Sequence, residues 1–257
     1  MSRIFQRILV PTDMSEFASL AIDHALWFQE RLGSSLTLLY ADDIRLPLDF
    51  MEYPLGYYLE NAPASKAKIQ QRLRDFAFEK APESHIETIV VDDSPARAIV
   101  DVAKRMNADL IVMGTHGRSG LQRALLGSVT ESVLRSAGGP VLTIAPALYN
   151  GHAIDIRRVL AAVPMMDPAQ KIANALGAEL MLLAITEDDP PDRLLALAER
   201  RDADLIIAGS MKQLLSRRAS CAVLTLPPSW SSVTTGVVAH HGITHRHRSG
   251  FARGRVQ

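Results

Sequence analysis

The chain has 257 residues, in which 28 Lys and Arg balance 28 Asp and Glu. Zero formal charge argues against a general electrostatic binder, so neither nucleic acid nor an anionic membrane is an expected partner. With 47% hydrophobic and 22% charged residues the composition is that of a globular protein, and the single cysteine, Cys221, excludes an internal disulfide and fits a reducing compartment. No run approaches the ~18 apolar residues of a bilayer span, and Pro11 and Asp13 interrupt the N-terminal apolar run too early for a signal peptide, so a cytoplasmic protein is expected.

Taken in chain order, short apolar and β-branched runs near 7–12, 35–41, 86–92, 109–114 and 140–145 have the length of buried parallel strands. After the first, Leu20, Ala21, His24, Ala25, Phe28 and Leu32 fall on one helical stripe, with Ser15 as N-cap. His24 on that stripe reads as a packed core residue. Phe50, Met51, Tyr53, Leu55, Tyr57 and Tyr58 read as a long loop able to cover a site or a partner, followed by a second helix at 64–80. Ser94-Pro95 reads as an N-cap followed by proline at the first helical position, and Ser128-Val-Thr-Glu131 has capping-box spacing at the start of a helix running to about 137. Strands alternating with helices predict right-handed crossovers and a doubly wound, five-stranded parallel α/β sheet.

Much of this pattern then repeats. Arg7-Ile-Leu-Val recurs as Arg158-Val-Leu-Ala, Leu32-Gly-Ser-Ser-Leu as Leu176-Gly-Ala-Glu-Leu, Ala108-Asp-Leu-Ile as Ala203-Asp-Leu-Ile, and Val141-Leu-Thr-Ile as Val223-Leu-Thr-Leu. Four matches in one order indicate a duplication. The spacing between matches shrinks along the chain, so the second copy has lost one helix and one strand before Asp204, and more after Gly209. The expected organisation is a complete unit over 1–149, a smaller truncated copy of the same fold over 150–228 in its own sheet, and a tail over 229–257. The truncated copy is expected to leave a bare apolar edge that docks on the first. The tail has no acidic residue but carries Arg246, Arg248, Arg253, Arg255, His240, His241, His245 and His247. It reads as disordered, and its histidine spacing fits no closed zinc site.

The stretch richest in chemistry is Val112-Met-Gly-Thr-His-Gly-Arg-Ser-Gly-Leu-Gln-Arg-Ala-Leu-Leu-Gly-Ser-Val-Thr130. It reads as a buried strand, a glycine-containing loop and a helix start. Unpaired amides and the positive end of the helix dipole make such a start an anion site. Gly114, Gly117 and Gly127 allow positive φ and close approach of a phosphate, while Ser128 and Thr130 add hydroxyls. Arg118 and Arg123 either supply positive charge or face water, and Ser128 either caps its helix or holds phosphate. Neither a Walker A loop nor a Gly-x-Gly-x-x-Gly fingerprint is present.

The spacing Gly114-x2-Gly117-x9-Gly127-Ser128 resembles the nucleotide-binding signature of the universal stress protein family. Arg7-Ile-Leu-Val-Pro-Thr-Asp13 and Gly139-Pro-Val-Leu-Thr-Ile-Ala145 are similar to that family's first and last strands. The resemblance implies an adenine nucleotide alpha hydrolase-like sheet of order 3-2-1-4-5. It also implies ATP, with magnesium bridging its phosphates, held by Pro11, Thr12, Asp13, Ala41, Met113, Gly114, His116, Gly117, Arg118, Gly127, Ser128, Val129 and Thr130. Asp13 and the Ala41 backbone would take the nucleoside end, the glycine loop and helix start the ribose and phosphates. In the second copy Pro164 replaces Asp13 and Lys212 replaces Gly117, so one nucleotide per chain is expected. The implied role is ATP-dependent regulation or association in stress response, with no catalytic residue assigned. Slow ATP hydrolysis and a scaffold using the degenerate copy are the alternatives. The expected pairing is a homodimer or contact between the two copies within the chain.

Overall fold

The structure, a computed structural model, describes residues 4–43, 55–115, 126–145, 153–162, 165–184, 189–209, 212–227 and 230, without the side chains of Phe17, 55–64 and 212–214. Its leading part runs β1 (Arg7–Pro11), α1 (Glu16–Leu32), β2 (Ser35–Ala41), α2 (Leu55–Lys80), β3 (Ile86–Val91), α3 (Pro95–Arg105), β4 (Leu110–Gly114), α4 (Ser128–Ser136) and β5 (Val141–Ile144). The trailing part runs β6 (Arg158–Ala162), α5 (Met166–Leu176), β7 (Glu179–Leu183), α6 (Asp192–Arg200), β8 (Leu205–Ala208), α7 (Lys212–Arg218) and β9 (Ala222–Thr225). Of the expected second-helix loop, Phe50, Met51 and Tyr53 lie outside the described residues, whereas Leu55, Tyr57 and Tyr58 belong to α2. The helix runs through Pro63, the kind of interior position where a proline normally ends one, and so begins nine residues earlier than 64.

The strands form one sheet of order β3-β2-β1-β4-β5-β9-β8-β6-β7. The expected 3-2-1-4-5 order is present in the leading part, and the trailing part repeats it without the third strand and the helix before it. The expectation of two separate sheets is corrected. β5 and β9, the matching last strands of the two parts, pair antiparallel with Leu142 opposite Leu224, whereas β5 and β4 run parallel. Both are apolar and buried, so joining them continues one hydrophobic layer. The Thr143 hydroxyl, buried at this seam, bonds the Ser216 hydroxyl of α7 at 2.9 Å. The pairing therefore uses the intact edge of each part, and the truncated edge, β7, stays at the end of the sheet.

Repeated residues explain the repeated geometry. Both carboxylate oxygens of Asp109 accept backbone N–H bonds, from Gln6 and Arg7, at 2.8 Å. In Asp204 one oxygen, Oδ2, accepts both equivalent amides, from Arg157 and Arg158, at 2.9 and 2.8 Å. Each Ala-Asp-Leu-Ile motif thus staples its strand to the neighbouring first strand. Side chains on one face of the sheet, including Ile8, Val10, Leu36, Leu38, Val159 and Leu205, share a core that runs through both parts. On the other face Leu9, Ile111 and Val133 belong to one cluster, and Leu160, Ile206 and Val223 to another. Ser15 caps α1 by accepting from the Ala18 amide at 3.2 Å, and Gly33 closes it in the left-handed region at φ 70°.

Candidate functional site

β1 and β4 are parallel neighbours, Ile8 beside Leu110 and Leu9 beside Ile111, and their connections leave toward opposite sides, β1 to β2 and β4 to β5. Such a reversal opens a crevice at the carboxyl ends of the strands. A cavity of about 590 Å³ lies there, within the range of small-molecule sites. Among the residues expected from the sequence, Pro11, Thr12, Asp13, Ala41, Met113, Gly114, Gly127, Ser128, Val129 and Thr130 all line it. His116, Gly117 and Arg118 lie outside the described residues, as does Arg123.

The loop from β1 into α1 is held by three short side-chain bonds. Thr12 Oγ1 accepts from the Met14 amide, Asp13 Oδ1 from the Ser15 amide and Ser15 Oγ from the Ala18 amide, at 3.0, 3.0 and 3.2 Å. Between them Met14 adopts φ 57°, a left-handed conformation uncommon outside glycine. The turn fixes Asp13 on the crevice wall and spends part of its carboxylate on the backbone.

The opposite wall is the start of α4. Gly127 donates to the Thr115 carbonyl at 2.8 Å and its own carbonyl accepts the Glu131 amide at 2.9 Å. The amides of Ser128, Val129 and Thr130 therefore have no partner inside the helix. The capping-box expectation is corrected here: the N-cap is Gly127, with no side chain to cap, Ser128 is the first helical residue, and Glu131 pairs with Arg135 at 3.0 Å. Thr130 is also recast, since its hydroxyl, buried at 3% exposure, donates to the Gly114 carbonyl at 2.9 Å and binds the helix start to the end of β4. Nor is positive φ required at the described loop glycines. Gly127 has φ −59°, and Gly114 is not among the left-handed residues. What they contribute is the absence of a side chain on the crevice wall.

The sequence reading missed Ala18, Leu39, Tyr40, Asp42, Asp43, Pro95 and Ile99, which complete the lining. Ala18 belongs to the first turn of α1, and the others stand at the end of β2 and the start of α3, which the strand order brings to the same rim. The described lining carries three carboxylates, Asp13, Asp42 and Asp43, and no Lys or Arg. Away from the crevice, His24 is buried with its Nδ1 2.8 Å from the Leu20 carbonyl oxygen, and desolvation by burial holds its pKa below 6.5 against the opposing pull of that bond and of Asp23. Burial pushes the Cys221 thiol up to about 12, aided by Asp204, which disfavours the thiolate. Among the described residues no group of three or more His, Cys, Asp or Glu is placed to hold a metal, and no helix is long and apolar enough to cross a membrane.

Sheet order, crevice and helix start together define a doubly wound α/β protein of the adenine nucleotide alpha hydrolase-like class. The model of the universal stress protein family matches residues 4–145, and the chain belongs to that family. It is 32% identical over 163 residues to the universal stress protein MJ0577 of Methanocaldococcus jannaschii, covering 56% of this chain and 97% of that one. It is 29% identical over 147 residues to the universal stress protein YxiE of Bacillus subtilis, covering 55% and 99%. A universal stress protein structure from Archaeoglobus fulgidus superposes over 87% of this chain and 98% of its own with a TM-score of 0.62; at 18% identity that likeness concerns the fold alone.

Proposed function

We propose that this chain is an ATP-binding universal stress protein, with one nucleotide per chain in the crevice between β1 and β4, and that occupancy alters the stability or association of the protein in a cytoplasmic stress response. The observation that carries the reading is the row of three amides, Ser128 to Thr130, that have no partner inside the helix, on a cavity wall facing the Asp13 turn. On this reading 1–149 is the nucleotide-binding unit, 150–228 its degenerate copy and 229–257 a basic tail.

The nucleoside lies toward Asp13 and the Ala41 backbone, and the phosphates lie on the helix start, with His116, Gly117 and Arg118 assigned to the same nucleotide by the sequence motif alone. A triphosphate beside Asp13, Asp42 and Asp43 needs a counter-charge. Magnesium arriving with the phosphates would supply it, with the Ser128 hydroxyl as the oxygen that the helix start offers. When bound, magnesium neutralises phosphate charge; the chain's own residues orient the nucleotide and exclude water from its base.

Calorimetry of the purified full chain with ATP, ADP and AMP, with and without magnesium, tests this. Binding at one site per chain, lost with Gly127→Val, is the expected result. Absence of binding below millimolar nucleotide would end the reading. Slow hydrolysis is the second reading, favoured by the two carboxylates Asp42 and Asp43 in the lining. Phosphate release that disappears with both Gly127→Val and Ser128→Ala would establish it.

A further inference from the structure

The nine-stranded sheet has two open edges, and they differ in chemistry. The edge strand β3 carries Glu87 exposed at its second residue, inside the paired stretch, a charge of the kind that guards an edge against pairing. The edge strand β7, Glu179-Leu-Met-Leu-Leu183, has its only charge at its first residue.

The internal repeat shows what β7 lacks. Arg158 pairs with Glu179 as Arg7 pairs with Ser35, so Leu180 and Leu182 stand where Leu36 and Leu38 stand in β2. Leu36 and Leu38 are 1% and 0% exposed, covered by β3 and α2, whereas Leu182 is 41% exposed. Among the described residues neither covering element has a counterpart beside β7. Met166, at the start of α5 and the same carboxyl end of the sheet, is 46% exposed.

We propose that β7 is a self-association edge, paired with β7 of a second copy of this chain in antiparallel register about a two-fold axis at Met181. That axis sets Leu180 against the partner's Leu182 and Leu182 against the partner's Leu180, two apolar pairs on the face left bare. It also places the two Glu179 carboxylates at opposite ends of the ladder, about 13 Å apart along the strands, beyond the screening length of physiological salt. A parallel partner would bring them side by side. The chain already joins its own two parts by antiparallel strand pairing, at β5 and β9, so that edge is occupied and β7 continues the same layer outward. Five paired residues and the adjoining turn of α5 are well short of the roughly 20–30 residues a side in a standard interface, so the dimer is a weak, concentration-dependent one.

Sedimentation velocity of the full chain over a rising concentration series, with and without nucleotide, tests the edge apart from the nucleotide reading. A monomer–dimer equilibrium is expected, weakened by roughly a hundredfold or more in Leu182→Lys, which buries a charge at the pairing surface, and unchanged in Glu87→Lys at the opposite edge. A chain monomeric at every concentration, or a dimer that survives Leu182→Lys, overturns the proposal. If Leu182→Lys fails to fold, Met181→Cys decides. On mild oxidation the facing cysteines of a two-fold pair should crosslink the two copies, and absence of that crosslink overturns it.

Discussion

Gly114 ends β4 beside an open crevice, whereas Gly209, which takes its place in the second copy of the Ala-Asp-Leu-Ile motif, is covered: a Cβ added there would lie 2.8 Å from the sulfur of Met165. The two places share strand order, parallel register and the aspartate staple to the first strand. They differ in the loops above the strands. In the leading part Thr12, Asp13 and Ser15 each spend a side-chain oxygen on the turn, and Met14 is held at φ 57°; in the trailing part Met165 sits at φ −101° over Gly209. Below the other wall, α4 has nine residues and begins after a glycine, while α7 has seven and begins at Lys212. The sheet therefore does not determine where a ligand can bind; a few turn residues do.

The sharpest way to break this comparison is at Ser128. Because Gly127 and not Ser128 is the N-cap, Ser128→Ala removes a hydroxyl from the crevice without removing a cap. Nucleotide affinity should fall roughly ten- to 150-fold, the range for a hydrogen bond to a charged group, while the melting temperature of the nucleotide-free chain stays put. Calorimetry and a thermal melt on one preparation check both. Unchanged affinity with a lower melting temperature would make Ser128 a structural residue, and the two helix starts would then differ only in length.

Thr130 sharpens the comparison from the structural side. Thr130→Val keeps the shape but removes the 2.9 Å bond to Gly114. The Gly114 carbonyl loses this donor, so the expected loss is about 1 kcal/mol of stability in urea, largely restored in Thr130→Ser. A loss confined to nucleotide affinity would instead show that the hydroxyl turns to the phosphates when they bind.

How much of this was readable beforehand varies with the range of the interaction. The strands and the Ser15 cap follow from local patterns, and the parallel sheet from the rule for right-handed crossovers, whereas the order of the leading sheet came only with the family resemblance. The Ala108-Asp109 and Ala203-Asp204 repeats were visible as repeats, but their role as staples depends on Gln6, Arg7, Arg157 and Arg158, far away in sequence. Asp42, Asp43, Pro95 and Ile99 carry no motif; only the position of β2 and α3 around β1 and β4 makes them neighbours of Asp13. The start of α2 was read nine residues late, at 64, because the helix continues through Pro63, where local propensity argues against one. The single sheet was missed for a related reason: antiparallel pairing of β5 with β9 joins residues about eighty apart, and neither strand announces its partner.

The smallest expected effect lies at the covered crevice. Gly209 is not in the left-handed region, so alanine there is compatible with the backbone and restricts the unfolded chain, a gain of about 0.4–1 kcal/mol. Against this stands the close approach of the Met165 sulfur and methyl, at 2.8 and 3.6 Å from the added carbon. Both atoms are at the end of a flexible side chain, which can swing aside at modest cost. The two terms nearly cancel, and Gly209→Ala should leave the urea midpoint within what about 0.5 kcal/mol would move, with one nucleotide still bound per chain. A loss of several kcal/mol would mean that Met165 is locked in place, so that the trailing crevice is closed by core packing and not by a side chain resting over it.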